Sequence, residues 1–332
     1  MPQSQDPTIV ETGTKLVETL KGAFHTPAGY RPVHAKGLLL TGTFTPAPLA
    51  SQLSIAPHFN NPSTAIIGRF SDNTGIPKIP DTDDNANPAG FALRFMYGDR
   101  KHTDIISHAV PLFPVKTGQE MLEFLDSLGD GTIGQFLATH EKTKKFIEYP
   151  KPHPERFDTQ KYYALNAFKL VNGNGKITIV RYQIHPFSGE ESFLENEQVK
   201  SKSDNYLFDQ LKDTITGGET VKFRLMIQVG QDGDPTNDIT NQWPNTRKIE
   251  DLGVIEFNGL SQHDEEEQKK IIFDPIPRVK GVEPSDDPLL EMRASVYLTS
   301  GKERRAAPHV EKENADGLDG LDGQADGAAE IH

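Results

Sequence analysis

Cysteine is absent from this 332-residue chain. Its absence excludes disulfides, thiolate zinc sites, cysteine nucleophiles and Cys-ligated haem or iron–sulfur clusters. Positive charge is in deficit: 35 Lys+Arg face 48 Asp+Glu, a formal net charge of −13. Nucleic acids and anionic membrane surfaces both reward a positive face, so neither is expected as a main partner. Apolar runs are short, and none approaches the roughly 20 residues that span a bilayer. The opening residues, MPQSQDPTIVETGTK, lack the basic and apolar regions of a secretory signal. The expectation is a cytoplasmic protein whose chemistry does not rest on sulfur. What is present, 35% apolar residues, suffices for a sizeable core without covalent staples.

Residues 311–332 (EKENADGLDGLDGQADGAAEIH) carry seven acidic residues, one lysine and no aromatic. Such a composition buries too little apolar surface to offset ordering entropy, so it reads as a disordered acidic tail. The Asp-Gly pairs lack the spaced carboxylates and closing Glu of a calcium loop. Residues 1–310 read as one domain, with 1–28 an N-terminal arm carrying a short helix.

Within that domain, short β-rich runs recur between Gly, Pro, Asn and Asp punctuation. They fall at residues 37–44, 64–70, 90–97, 104–112, 164–171, 176–184, 221–229 and 252–257. The fifth and sixth are joined by Asn172-Gly-Asn-Gly175, a hairpin signal because these residues tolerate positive φ. Eight strands, most without intervening helices, point to an antiparallel barrel rather than a parallel α/β sheet. Helical patterns occupy the long connections at 118–128, 133–147, roughly 190–215, and 288–305. The fold class is α+β: an eight-stranded antiparallel barrel with long helical insertions.

The last helical segment, PSDDPLLEMRASVYLTSGKERRAAP, has labelled ends. Ser285 is the expected N-cap, Asp286 and Asp287 suit the positive end, and Pro288 suits an early position. Lys302, Arg304 and Arg305 sit at the negative end, and Pro308 stops the helix. Arg293 and Tyr297 are four apart and share a face, with Arg304 two turns further along it. A free phenol ionises near pH 10, and one adjacent cation lowers that by roughly 1–3 units. Arg293 alone is therefore borderline for a phenolate at neutral pH, whereas a guanidinium together with a ferric ion would suffice. Taken alone, the spacing equally describes a surface contact.

Several further segments occur in a particular order. Arg31-Pro-Val-His34-Ala-Lys-Gly37 is followed by Gly68-Arg69-Phe70-Ser71, Asn87-Pro-Ala-Gly-Phe-Ala-Leu-Arg-Phe95 and Val110-Pro-Leu-Phe-Pro114. Then come Ala167-Phe-Lys-Leu-Val-Asn172, Phe273-Asp-Pro275 and the segment from Gly281 to Tyr297. This succession, collinear from about residue 30 to residue 305, resembles the haem catalase family. Among its branches it is similar to the minimal one, the catalase-related peroxidases. The chain stops soon after the tyrosine helix, without the family's later wrapping and C-terminal segments. The resemblance implies a barrel with haem b, one per chain, between it and that helix.

The resemblance also implies roles. Tyr297 matches the proximal phenolate that ligates haem iron, and Arg293 the guanidinium that keeps it ionised. His34 matches the distal histidine. Arg31, Arg69 and Arg304 fall where family arginines meet the haem propionates. Val33 and Phe113 match apolar pocket residues, and Ser71 the serine near the distal histidine. Four features depart from the family pattern, one being Leu298-Thr299-Ser300 after the ligand, which lacks the family's usual Asp-Thr. His108 stands where catalases carry a distal asparagine, Met121 replaces a distal phenylalanine, and Asn166 replaces a histidine contacting the proximal arginine. The implied mechanism has His34 act as general base and then acid on an iron-bound peroxide.

The departures favour peroxidase turnover with an organic electron donor, and a shorter chain should leave the haem more accessible to larger peroxides. True catalase activity is the alternative. Rearrangement of fatty-acid hydroperoxides, known from a catalase-like branch, is another, although that branch has threonine where this chain has Val33. A non-catalytic haem- or lipid-carrying barrel is a third. Homo-oligomerisation and NADPH binding stay open.

Overall fold

The computed structural model describes residues 1–308, so the acidic tail expected at 311–332 lies outside the described residues. The strands are β1 (Gly37–Pro46), β2 (Thr64–Ser71), β3 (Gly90–Gly98), β4 (Lys101–His108), β5 (Tyr162–Val171), β6 (Ile177–Pro186), β7 (Val221–Val229), β8 (Ile249–Leu260) and β9 (Val282–Pro284). The helices are α1 (Pro7–Phe24), α2 (Pro48–Leu53), α3 (Pro57–Asn60), α4 (Gly118–Gly129), α5 (Ile133–Thr139), α6 (Glu141–Glu148), α7 (Asn196–Val199), α8 (Tyr206–Thr216), α9 (Asp264–Lys270) and α10 (Pro288–Ala306).

The sheet order is β4-β3-β2-β1-β8-β7-β6-β5-β9, and β4 returns to β5 where His108 faces Tyr163. Every pairing is antiparallel. Eight strands therefore close on themselves, which removes the unpaired edge that an open sheet leaves exposed. Inward positions carry Phe44, Phe70, Phe91, Phe95, Tyr162, Phe223 and Phe257, all essentially inaccessible. Phe70 stacks on Phe91 at 4.4 Å and on Phe157 at 5.0 Å between ring centroids. The core is aromatic because eight strands leave an interior that side chains alone can fill. Among the described residues no helix is long and apolar enough to cross a membrane.

Most of the expected boundaries hold to within a few residues, and the differences have local causes. The fourth strand ends at His108 instead of running to Leu112, because Pro111 cannot donate to a ladder. The helix expected over 133–147 is two, α5 and α6, broken at His140, whose ring stacks on Phe136 at 3.8 Å. The region around 190–215 holds only the short α7 and then α8. In the β5–β6 hairpin Gly175 alone takes positive φ, 77°. The Asn172 carboxamide closes that turn by accepting from the Asn174 and Lys176 amides, each at 3.0 Å.

The N-cap of α10 is Asp287, not Ser285. Its carboxylate accepts from the Leu289 amide at 2.9 Å. Pro288 at the first helical position biases the residue before it to extended backbone, so the helix cannot begin earlier. Ala307 is extended before Pro308 for the same reason. The N-terminal helix is 18 residues long rather than short. Asp6 caps it, and Leu16 and Val17 are buried as it packs on α10 and α4.

Gly42 sits at the irregularity where β1 crosses from one register of β8 to the next. A Cβ there would lie 2.0 Å from the Glu256 carbonyl oxygen and 2.8 Å from the Phe257 Cα. Backbone atoms cannot yield as a side-chain tip would. Gly42→Ala is therefore expected to destabilise the barrel by about 1–3 kcal/mol, the usual cost of overpacking. Urea unfolding reads this directly; a midpoint equal to that of the wild type would contradict the close approach.

Candidate active site

One cavity of about 920 Å³ lies between the outer wall of the barrel and helices α1, α4 and α10. That volume is near the top of the roughly 300–1,000 Å³ range of small-molecule sites. It reaches the surface beside Tyr149, 37% exposed, and Asp84, whose side chain is 87% exposed. All nine residues expected to form a site line it: Arg31, Val33, His34, Arg69, Ser71, Phe113, Arg293, Tyr297 and Arg304. His108 and Met121 line it too, whereas Asn166 does not.

One wall is α10. Arg293, Tyr297, Ser300 and Arg304 recur at helical spacing and form a single stripe toward the cavity. Arg293 donates to the Tyr297 phenolic oxygen from Nε at 3.2 Å and from a terminal nitrogen at 3.1 Å. Its other terminal nitrogen donates to the Asn166 carboxamide oxygen. Asn166 in turn donates to the Asp287 carboxylate at 3.1 Å. The guanidinium is thus aimed at the phenol by a chain that runs back to the start of its own helix.

The opposite wall carries His34. Its Nδ1 lies 2.7 Å from the Asp72 carbonyl oxygen and 3.2 Å from the Ser71 hydroxyl. A carbonyl can only accept, so Nδ1 carries the proton and Nε2 presents a lone pair. Burial, aided by the Arg69, Arg31 and Arg293 cations, pushes the imidazole down to about 4, against a smaller upward pull from the Asp72 carbonyl. His34 is neutral at pH 7. Its backbone sits at φ 62°, a left-handed conformation uncommon outside glycine. Arg69 helps hold it there by donating to the His34 carbonyl at 2.9 Å. Room for the ring comes from Gly90, where a Cβ would fall 2.9 Å from His34 Nδ1.

Arg31, Arg69 and Arg304 gather on one part of the cavity wall. Arg31 and Arg304 both donate to the Ile271 carbonyl, at 3.1 and 2.9 Å. Arg69 donates to Gln268 at 2.9 Å. Burial and mutual repulsion push Arg69 down to about 9 and lower Arg31 well below the usual arginine range. Arg304 falls to about 10 through burial and the neighbouring Arg305, and its Nε is buried with no hydrogen-bond partner. Among the described residues none of these three, nor Arg293, forms an ion pair with a carboxylate. Buried cations are ordinarily paired. The cavity therefore suits an anionic ligand, with its carboxylates against Arg31, Arg69 and Arg304, the Tyr297 phenolic oxygen on one side and the His34 imidazole nitrogen on the other. A haem has that description, and the residues present fit it.

Sequence reading did not find the Asp72 and Ile271 carbonyls or Gln268, nor the contribution of Leu16, Leu20 and Phe24 from α1 to the cavity wall. Carbonyls carry no residue signature, and the arm's role depends on where it docks.

The chain matches the catalase family over residues 3–312. It is 30% identical over 301 residues to a catalase-related peroxidase of Mycolicibacterium paratuberculosis, covering 88% of this chain and 95% of that protein. It is 29% identical over 306 residues to a catalase-related peroxidase of Synechococcus elongatus, covering 88% of each. Among solved structures it resembles a bacterial catalase, with 22% identity and a TM-score of 0.74 over 91% of this chain. Catalase A from Saccharomyces cerevisiae gives 20% identity and a TM-score of 0.73 over 87% of this chain. The chain spans 62% and 64% of the lengths of those two solved chains.

A depressed histidine has a definite sign in linkage. The unfolded chain binds a proton near pH 6.5 and folded His34 only near 4. The stability that neutral His34 represents is full above about pH 6.5 and is lost as pH falls toward 4, at about 1.4 kcal/mol per pH unit per group. Asp72, raised to about 8 chiefly by burial, works in the opposite sense, so the whole-protein profile does not isolate the effect. Proton NMR of the His34 ring does: its Cε1–H shift should stay flat from pH 8 to 5. A titration centred near 6.5 would contradict the buried, neutral imidazole.

Proposed function

The chain belongs to the catalase family, and from that premise we propose that it is a haem-dependent peroxidase with the proximal and distal residues named below. Its reaction reduces hydrogen peroxide or an organic hydroperoxide at the expense of an organic donor. The observation that carries this reading is the opposition, across one cavity, of the Arg293–Tyr297 pair and the Nε2 lone pair of His34. We take the cofactor to be haem b, as the family resemblance implies; the absence of cysteine is consistent with this, since it excludes a thioether-attached haem. A cytoplasmic setting and the identity of the donor belong to the same proposal.

When bound, the haem supplies the redox chemistry of peroxide cleavage. Tyr297 would hold its iron as phenolate, and Arg293, donating twice to that oxygen, stabilises the anionic form. Asn166 keeps Arg293 from swinging away. Arg31, Arg69 and Arg304 would hold the two propionates. On the far side His34 takes the proton of the peroxide's hydroperoxyl group on Nε2 and returns it to the leaving oxygen, as general base and then acid. The Asp72 carbonyl keeps it in the tautomer that this requires. Val33, Phe113 and Met121 give the distal space an apolar lining, which excludes water and accommodates an alkyl group. Catalase turnover is the less favoured reading, because the two relatives at about 30% identity carry the name catalase-related peroxidase.

The test is spectroscopic and kinetic. Wild-type protein should take up hemin, and Tyr297→Phe should lose or alter the ferric spectrum. His34→Ala should keep the spectrum largely intact while peroxide consumption falls about 10²–10⁴-fold, the usual weight of a general acid–base group. A Tyr297→Phe spectrum identical to wild type would overturn the ligand assignment. Rapid oxygen release with no donor oxidation would overturn the peroxidase reading in favour of catalase.

A further inference from the structure

His108 has no part in the reaction as described, yet it stands at the centre of the distal wall. It ends β4 at the closure of the barrel, opposite Gly90 on β3 and opposite Tyr163 on β5. Directly opposed residues of an antiparallel pair point to the same face, with Cβ atoms roughly 4.5–5.5 Å apart. The space that a Gly90 side chain would fill is the space His34 occupies, with Cε1 and Nδ1 each 2.9 Å from that Cβ position. The two imidazoles are therefore neighbours across Gly90, and both line the cavity.

They are held differently. The His34 ring is tied through Nδ1 to the Asp72 carbonyl. His108 packs edge-on against Phe113 at 6.2 Å between centroids, and neither ring nitrogen makes a hydrogen bond to a described residue. Burial, with His34 and Arg293 close by, pushes its proton affinity down to about 3. The ring is neutral, with one donor nitrogen, one acceptor, and no contact that selects the tautomer. The ring is half-buried on the cavity wall, and an imidazole whose nitrogens meet no protein partner there calls for an explanation.

The balance of the reaction supplies one. For a hydroperoxide and two equivalents of donor, ROOH + 2 AH gives ROH + H2O + 2 A•. The O–O bond breaks, and the oxygen that becomes water takes two electrons and two protons, all from the donor. In the peroxide-cleaving half His34 takes one proton and returns it, so it imports none. Its Nδ1 is committed, so it cannot pass protons through from behind. An imidazole with both nitrogens free can gain a proton on one side and release one from the other.

We propose that His108 relays the donor's protons into the distal pocket, receiving them on the side of its strand partner Tyr163, which also lines the cavity, and releasing them in front of His34. This rests on the peroxidase reading and adds to it a residue specific to donor oxidation.

Haem-loaded His108→Asn and His108→Leu enzymes test it. Peroxide cleavage, followed as the single-turnover spectral change, should stay within about twofold of wild type. Steady-state donor oxidation should fall at least about tenfold in kcat, in keeping with a lost acid–base group, with an enlarged solvent deuterium isotope effect. Asparagine should serve no better than leucine. In the haem-free protein, two-bond ¹⁵N–¹H spectra should show His34 as a single Nδ1–H tautomer and His108 as an averaged mixture.

Wild-type rates in His108→Asn would overturn the relay, as would equal losses in both halves of the cycle or a single locked His108 tautomer. A wild-type protein that takes up no hemin would overturn the peroxidase reading and the relay with it. A loaded, active wild type with an unaffected asparagine variant overturns the relay alone.

Discussion

Four guanidiniums without a carboxylate partner among the described residues, Arg69 and Arg304 buried and Arg31 and Arg293 half-buried, are the constraint around which this cavity is built. A buried charge is costly unless it is paired. Here Arg31 and Arg304 share one backbone carbonyl, Arg69 leans on a glutamine and two carbonyls, and Arg293 faces a phenol and a carboxamide. Neutral oxygens solvate these cations without cancelling them. An anionic ligand that set carboxylates against Arg31, Arg69 and Arg304 would offset much of that cost, and ionised Tyr297 would do the same for Arg293. Ligand binding and folding are then linked, because a group that binds only the native state stabilises it by mass action.

The barrel matters to this site mainly as a rigid frame. Its interior is filled with aromatic rings, and a second cavity, beside His58, Phe95 and Tyr182, has a volume of only about 10 Å³. The chemistry sits on its outer wall, where strand ends and the loops after them bring His34, Ser71, Gly90 and His108 together. Helix α10 covers that wall and brings the phenol. A hub formed by Arg94 and Asp104 ties the frame to the segment beside the arginine cluster. Arg94 pairs with Asp104 and also donates to the Ile272 carbonyl, while Asp104 accepts from the Asp274 amide at 2.6 Å. The Ile271 carbonyl that serves two arginines is thereby positioned from the barrel itself.

The wall that carries His34 and His108 is asymmetric. One imidazole is locked by a carbonyl, a hydroxyl and a clamped backbone; the other is free. Locking suits a group that must present the same lone pair at every turnover. Freedom suits one that must change partners. An amide at position 108 could hydrogen-bond to a peroxide, but it could not carry a proton.

Much of this was legible in the residues themselves. Hydrophobic runs between turn residues locate all eight barrel strands, because a strand that buries one face must write that face into its composition. The spacing of Arg293, Tyr297 and Arg304 likewise places them on one helical stripe, since 3.6 residues per turn leaves little choice. Closure of the barrel through His108 and Tyr163 and the docking of α1 against the cavity were decided by tertiary structure. So were the His34 tautomer and the crowding at Gly90. Each depends on which backbone carbonyl or which empty space lies opposite, and a carbonyl has no letter in a sequence. Local periodicity is a property of the chain, whereas the partner of a buried polar group is a property of the fold.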